Sequence, residues 1–329
     1  MNYYEEVNGK LVCLLCNHYC QLKKKQTGLC GVNKNTGDKI ECLVYGYIAA
    51  LNIDPIEKKP LYHFLPASRS LSLGTVGCNF KCAFCQNWGI SQEKEINKEQ
   101  YIPPRYIVDL ALSHHCQSIS YTYNEPTIFY PYAKEIAKLA HEEGLKNVFV
   151  SNGFESLEVV NDMAGLIDAV NIDLKTFNEN YYKKLGGSLD IVLRNLELFK
   201  EKNIWTEVTT LIVPTKNDTP EELESLARFI KEKVGETTPW HISAFHPDYK
   251  EKKLPPTSFE SLNKAYEIGK KVGLKYVYRG NVSVNNDTLC SHCQNVLIQR
   301  ERMQVVQNHL KNGQCQVCGK PLEGVYNET

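Results

Sequence analysis

The stretch "VGCNFKCAFCQNW" at positions 76–88 puts Cys78, Cys82 and Cys85 in one short loop with C-x3-C-x2-C spacing. A closed structural zinc site takes four protein ligands. Three thiolates in so short a loop suit a cubane [4Fe-4S] cluster instead, with three irons held by the protein and the fourth open to a small chelating molecule. The amino and carboxylate groups of S-adenosylmethionine can act as that chelate, and one-electron reduction of its sulfonium would then release a 5′-deoxyadenosyl radical. The rival is a zinc ion held by the same three thiols and completed by His63 or His114.

Two further cysteine groups flank this loop. "CSHC" and "CQVC" supply Cys290, Cys293, Cys315 and Cys318, two C-x2-C knuckles spaced as in a four-cysteine zinc ribbon. So small a unit draws much of its stability from the metal. Arg300, Arg302 and Lys311 between the knuckles would form a solvated face or, less simply, a docking patch. The run "CLLCNHYCQLKKKQTGLC" collects Cys13, Cys16, Cys20 and Cys30 at irregular spacings that fit either zinc or a second iron–sulfur cluster, with His18 able to replace one thiol. Cys42 and Cys116 stand alone and read as small buried hydrophobes.

The chain has 329 residues and 13 cysteines, and its 38 Lys and Arg balance 38 Asp and Glu. That length supports one large core with appendages. Zero net charge gives no global attraction to nucleic acid or an anionic membrane, although a local patch could still bind RNA. The polar start "MNYYEEVNGK" lacks a signal-peptide core, and no apolar run reaches the roughly 18 residues of a membrane span. A cytoplasmic protein is expected, in which thiols serve metals or chemistry rather than disulfides.

The elements that must position these residues alternate in type between about residues 70 and 280. "SLSLGTVG", "QSISYTY", "KNVFVSNG", "AVNIDLKTF", "IWTEVTTLIVP", "PWHISAF" and "GLKYVYRGN" read as strands, and segments such as "IFYPYAKEIAKLAHEEG" and "TPEELESLARFIKEKVG" carry helical periodicity between them. The pattern argues for βαβ units around a parallel sheet. A parallel β/α barrel presents its chemistry at the carboxyl ends of its strands, where the cysteine loop, "NEPT", "SNGF", "DLKTF", "FHPDYK" and "RGNVS" all fall. Alternation puts Glu207 on one face with Thr209 and Leu211, and His241 with Ser243 and Phe245. Facing inward, Glu207 and His241 are the candidate substrate-side catalytic residues. The plain alternatives are a satisfied core histidine and an outward glutamate.

The three-cysteine spacing is the signature of the radical SAM enzymes. The longer strings "YGYIAALNIDPIEKKPLYHFLPAS", "GCNFKCAFCQNWGISQ", "YTYNEPTIFYPYA" and "VYRGN" resemble the radical SAM proteins of the AmmeMemoRadiSam system, a branch close to the pyruvate formate-lyase activating enzymes. The resemblance implies that Phe84 packs near the adenine and that Asn124 and Glu125 hold the amino group of the methionine moiety. Ser151 and Asn152 match the "TNG" element, Asp173 and Lys175 the "DLK" element near methionine, and His246 an adenine contact. Where the activating enzymes carry an aspartate and an arginine of their monovalent-cation site, this chain has Val150 and Thr209.

The sequence thus predicts an α/β fold, a partial (β/α)6 TIM-like barrel over 70–284, with a cysteine-rich metal-binding segment at 1–69 and a zinc ribbon at 285–329. The expected activity is reductive cleavage of S-adenosylmethionine and hydrogen abstraction from an unidentified substrate, by resemblance a protein. A ferredoxin- or flavodoxin-class donor would supply the electron, and Memo-like and AMMECR-like proteins would be associated partners. The alternatives are a radical SAM enzyme that modifies RNA gripped by the ribbon, and a non-catalytic metal-binding interaction module.

Overall fold

The strands that precede the site motifs are buried with almost no interruption. Ser118–Tyr121 and Trp240–Ala244 hide every side chain, and Ala169–Asp173 all but the last. Continuous burial of this kind belongs to parallel strands covered by helices on one face and curled around a filled interior on the other. In the computed structural model, which describes residues 2–326, they form one eight-stranded sheet. Its members in order are β1 (Ala50–Pro55), β2 (Arg69–Gly74), β3 (Ser118–Tyr121), β4 (Lys146–Ser151), β5 (Ala169–Asp173), β6 (Trp205–Ile212), β7 (Trp240–Ala244) and β8 (Val277–Gly280). Strands β2 to β8 are parallel, and β1 runs antiparallel along β2. The strand order ends at β1 and β8, which do not pair, so the barrel is partial. Six βα crossovers join seven parallel strands, and the sheet begins with a strand that lies before the expected start at residue 70.

The crossover helices are α1 (Pro104–Ser113), α2 (Tyr130–Glu142), α3 (Leu157–Met163), α4 (Glu179–Leu185), α5 (Leu189–Glu201), α6 (Pro220–Phe229) and α7 (Phe259–Val272). Their boundaries follow local chemistry. Pro104 and Pro220 sit in the first turn of α1 and α6, where a missing amide costs nothing. Ser156 accepts from the Val159 amide to cap α3, and Gly273 at φ 104° ends α7. Helix α2 buries Tyr130, Tyr132, Ala133, Ile136, Ala137 and Ala140, a one-sided stripe that covers the sheet. Each large apolar side chain so buried contributes about 1.5–3 kcal/mol.

Before the barrel, a ribbon of Tyr4–Val7, Lys10–Cys13 and Gln21–Leu22 and a second pairing of Asn33–Asn35 with Ile40–Cys42 carry the first cysteines. After it, Thr288–Leu289, Val296–Glu301 and Gln304–Asn308 form an antiparallel sheet, followed by the pair Leu310–Lys311 and Gln314–Cys315. This last unit packs Cys290, Leu297, Ile298, Cys315 and Leu322 against Tyr62, Tyr276 and Tyr278. It therefore lies against the amino-terminal end of the strands, away from the motif loops. Among the described residues no helix is long and apolar enough to cross a membrane.

Candidate active site and cysteine centres

At the carboxyl ends of the parallel strands lies a cavity of about 390 Å³ lined by Cys78, Cys82, Cys85, Phe84, Asn124, Glu125, Ser151, Asn152, Asp173 and Lys175. The loop after β2 is stapled to the loop after β3 by Asn124, which accepts from the Thr75 amide at 3.1 Å and donates to the Gly77 carbonyl at 2.8 Å. The Phe80 amide donates to the Cys78 sulfur at 3.5 Å, and the Ser91 hydroxyl lies 3.2 Å from that of Cys85. Burial raises the Cys78 thiol, and raises Cys82 to about 11 against the pull of the Lys175 ammonium. Only a metal would keep such thiols ionised at neutral pH.

Glu125 is buried and accepts four hydrogen bonds: from the Thr127 amide (3.1 Å) and hydroxyl (2.6 Å), the Ser151 hydroxyl (2.9 Å) and the Asn152 amide (2.8 Å). Burial raises its proton affinity and these donors oppose the rise. Across the cavity, burial works against the Lys175 ammonium, but Asp173 at 2.8 Å, with Cys82 behind it, more than offsets this and keeps it cationic. The Thr209 hydroxyl on the cavity wall is buried without a hydrogen-bond partner. Three thiols without a fourth on the wall, a fixed carboxylate, an ammonium and an orphaned hydroxyl fit a three-cysteine cluster and a zwitterionic ligand such as S-adenosylmethionine.

Several cavity residues were not singled out by the sequence. Lys59, from the charged "DPIEKKPL" stretch ahead of the first parallel strand, is 2% exposed. It pairs with Asp54 at 2.7 Å and lies over the Tyr123 ring while lining the cavity. Its neighbours Glu57 and Lys58 are charged as well, so the sequence does not set it apart. Thr209, Leu211 and Ser243 also line the wall.

Glu207 and His241 do not. They face inward as alternation predicts, but one layer lower, and both are buried, Glu207 completely. Glu207 accepts from the Tyr62 and His63 amides, the Trp205 indole and, at 2.6 Å, His241 Nε2. In place of the expected catalytic position, the two form an internal hydrogen-bonded pair below the cavity that anchors the 60–64 segment. His246 is exposed, two residues beyond β7, and is not on the cavity wall. His63 lies at the other end of the barrel, held by the Glu323 carbonyl and Tyr278 hydroxyl, and exposed His114 ends α1, so neither completes a three-cysteine zinc site. A larger hollow of about 480 Å³ between the N-terminal ribbons and α2 contains none of the expected cofactor residues.

The four C-terminal cysteines form a ready metal site. Cys290 and Cys318 sulfurs are 3.6 Å apart and those of Cys293 and Cys315 3.7 Å. Metal–sulfur bonds of about 2.3 Å in a tetrahedron place sulfurs about 3.8 Å apart. Arg300, expected on a solvated face, is instead fully buried. It donates to the Tyr62 carbonyl and Thr288 hydroxyl at 2.7 Å each and lies over the Tyr62 ring. Cys42 is not solitary either; it pairs with Asn33 in the N-terminal module, within electrostatic reach of Cys13 and Cys30. Cys116 is the isolated, buried thiol the sequence suggested.

The family profile of the radical SAM superfamily matches residues 72–230, from β2 to the end of α6. An uncharacterized protein of Methanocaldococcus jannaschii is 38% identical over 329 residues, covering 98% of both chains. Another protein of that organism, named as a candidate glycyl-radical enzyme activating enzyme, is 25% identical over 237 residues, 69% of this chain and 85% of its own. Among solved structures, Streptococcus suis SuiB bound to S-adenosylmethionine superposes with a TM-score of 0.52 at 16% identity, covering 69% of this chain and 53% of its own. A radical SAM methyltransferase from Sphaerobacter thermophilus gives 0.51 at 14% identity, covering 67% and 68%. With the profile spanning the cysteine loop and strands that line the cavity, the chain carries a radical SAM domain.

Proposed function

We propose that this chain cleaves S-adenosylmethionine reductively and uses the product to take a hydrogen atom from a protein substrate. The observation that carries the reading is the single cavity in which the three cysteines meet Glu125, Asp173 and Lys175. Cys78, Cys82 and Cys85 would hold a [4Fe-4S] cluster, which when bound supplies the electron that breaks the S–C5′ bond and frees a 5′-deoxyadenosyl radical. Glu125, fixed by Ser151 and Asn152, receives the ammonium of the methionine moiety. Phe84 offers an apolar face to the adenine, and the surrounding barrel keeps water from the reacting carbon.

Relation to glycyl-radical activating enzymes supports a protein substrate, and the strings around the cysteine loop support a place in the AmmeMemoRadiSam system, with Memo-like and AMMECR-like proteins as associates. In this reading the protein is cytoplasmic and draws electrons from a ferredoxin- or flavodoxin-class donor. Residues 70–284 do the chemistry, 1–69 form a metal-bearing lead-in, and 285–329 a ribbon that holds zinc, which four thiols at these distances suit. Use of the ribbon as an RNA grip is not favoured, because Arg300 is spent inside the protein.

The test is anaerobic. Reconstituted wild type is expected to release 5′-deoxyadenosine from S-adenosylmethionine under dithionite, and the Cys78→Ala/Cys82→Ala/Cys85→Ala variant none. Iron-replete wild type that fails to bind S-adenosylmethionine would overturn the reading.

A further inference from the structure

We infer that Cys13, Cys16, Cys20 and Cys30 hold a second iron–sulfur cluster, and that this centre is built against the back of the Cys78–Cys85 loop. The argument begins with spacing. Among the described residues, the C-terminal cysteines form the one group of three or more metal-binding donor atoms that all lie within 4.8 Å of one another. No three of the N-terminal sulfurs gather so tightly, nor do those of Cys78, Cys82 and Cys85. Yet the four are neighbours: Cys16 follows Cys13 by three residues, the Cys13 amide donates to the Cys20 carbonyl at 3.0 Å, Gly28 packs against the Cys20 sulfur, and its amide bonds Asn33, whose side chain reaches the Cys30 sulfur at 3.4 Å. They are grouped but too wide for one tetrahedral ion, whose thiolates sit about 3.8 Å apart. A polynuclear cluster spreads its ligands over several metals and needs that greater width.

A donor beside the sulfurs points the same way. Asn33, itself buried, donates to Cys30 at 3.4 Å. A buried amide donor of this kind stabilises a metal-bound thiolate. Four thiols complete the set without His18, whose Nε2 faces the Asn79 carbonyl at 3.0 Å and whose ring packs on Phe154. Cys42, the fifth thiol, donates toward the Ile128 carbonyl at 3.8 Å and stays outside the set.

Two contacts fix the module to the central loop. A side-chain carbon at Gly77, the residue before Cys78, would lie 2.6 Å from the Cys30 carbonyl oxygen, so the two backbones touch. The His18 bond to Asn79 clamps the other side of Cys78. No feature of the proposed reaction requires this contact, and it would place a second centre one residue's thickness from the first.

The full chain is reconstituted anaerobically with ferrous iron and sulfide, and iron, sulfide and zinc are counted. Wild type is expected to take up about eight irons. The Cys78→Ala/Cys82→Ala/Cys85→Ala variant leaves the N-terminal module untouched; it should keep about four irons with matching sulfide and an EPR signal that S-adenosylmethionine does not alter. Cys20→Ala/Cys30→Ala should lose those irons, and Cys42→Ala should lose none. Because the first variant has no central site, its iron reads this module whether or not the catalytic reading holds. Should that variant be free of iron, or hold about two zinc ions in place of the one the ribbon takes, the inference is overturned. Iron lost from Cys42→Ala would overturn the ligand set.

Discussion

The hydroxyl of Ser151 has one proton to give and two carboxylates within reach, Glu125 at 2.9 Å and Glu155 at 2.5 Å. It also accepts from the Gly153 amide at 3.0 Å. If the hydroxyl donates to Glu125, the contact with Glu155 is made by a proton that Glu155 carries. Electrostatics agree, since burial first and then the charge of Glu125 push Glu155 up to about 7. Glu155 is thus a neutral prop that fixes the hydroxyl that fixes Glu125. Glu155→Gln, whose amide can donate in place of the acid, is expected to bind S-adenosylmethionine as wild type does. Glu155→Ala should bind on the order of tenfold more weakly. Calorimetry on the reconstituted protein separates the two, and equal binding by the alanine variant would sink the argument. The pH dependence has a definite sign. An acid whose folded value lies above its unfolded value of about 4.3 contributes stability that is complete below that pH and lost as pH rises through about 7. Wild type should therefore lose denaturation free energy between about pH 4 and about pH 7 and little beyond, whereas Glu155→Gln should lose less.

A strand in a barrel has two coordinates, the face a side chain takes and its height along the axis, and the sequence reports the first far better than the second. Alternation placed Glu207 with Thr209 and Leu211, and His241 with Ser243, and those sets do share a face; yet Thr209, Leu211 and Ser243 line the cavity while Glu207 and His241 lie below it. Polar residues following a strand were a sounder guide, because the motif loops after β2 to β5 meet at one mouth whatever the register. Lys59 and Glu155 escaped notice for a different reason. Each is a charged residue beside a motif, and only tertiary burial tells it from a solvated neighbour. The lower pair has its own consequence. Glu207 satisfies the amides of Tyr62 and His63 and the Trp205 indole, so Glu207→Ala leaves His241 and these donors buried without a partner. About 3–5 kcal/mol of stability should be lost, read as a thermal midpoint several degrees lower. Affinity for S-adenosylmethionine in the folded fraction should not change, and a selective loss of binding or turnover at unchanged stability would return Glu207 to the active site.

Across the whole molecule the two appended units occupy different places, and their roles divide accordingly. The N-terminal module touches the cysteine loop through Gly77 and Asn79, so a change there can reach the chemistry. The C-terminal unit covers the amino-terminal end of the strands, where Arg300 crosses from its sheet to the Tyr62 carbonyl and His63 holds the Glu323 carbonyl. Of the 58–64 segment near that end, only Lys58, Lys59 and Pro60 reach the cavity. The four-cysteine unit is best explained as a plug over this end of the barrel rather than as part of the site. Removing its metal withdraws much of the free energy that folds so small a unit, and Arg300→Ala removes its buried tie to the barrel. Either treatment should make the exposed 281–285 connection the first point of limited proteolysis, with a barrel fragment ending near that point. In the Arg300→Ala protein the four thiols should still hold about one zinc, because no ligand has been touched. The barrel should still bind S-adenosylmethionine in both cases, since the cavity is lined from the opposite strand ends. Parallel loss of zinc and of S-adenosylmethionine binding, at a temperature where circular dichroism shows the barrel intact, would mean that the two ends are coupled and that the plug has a part in catalysis.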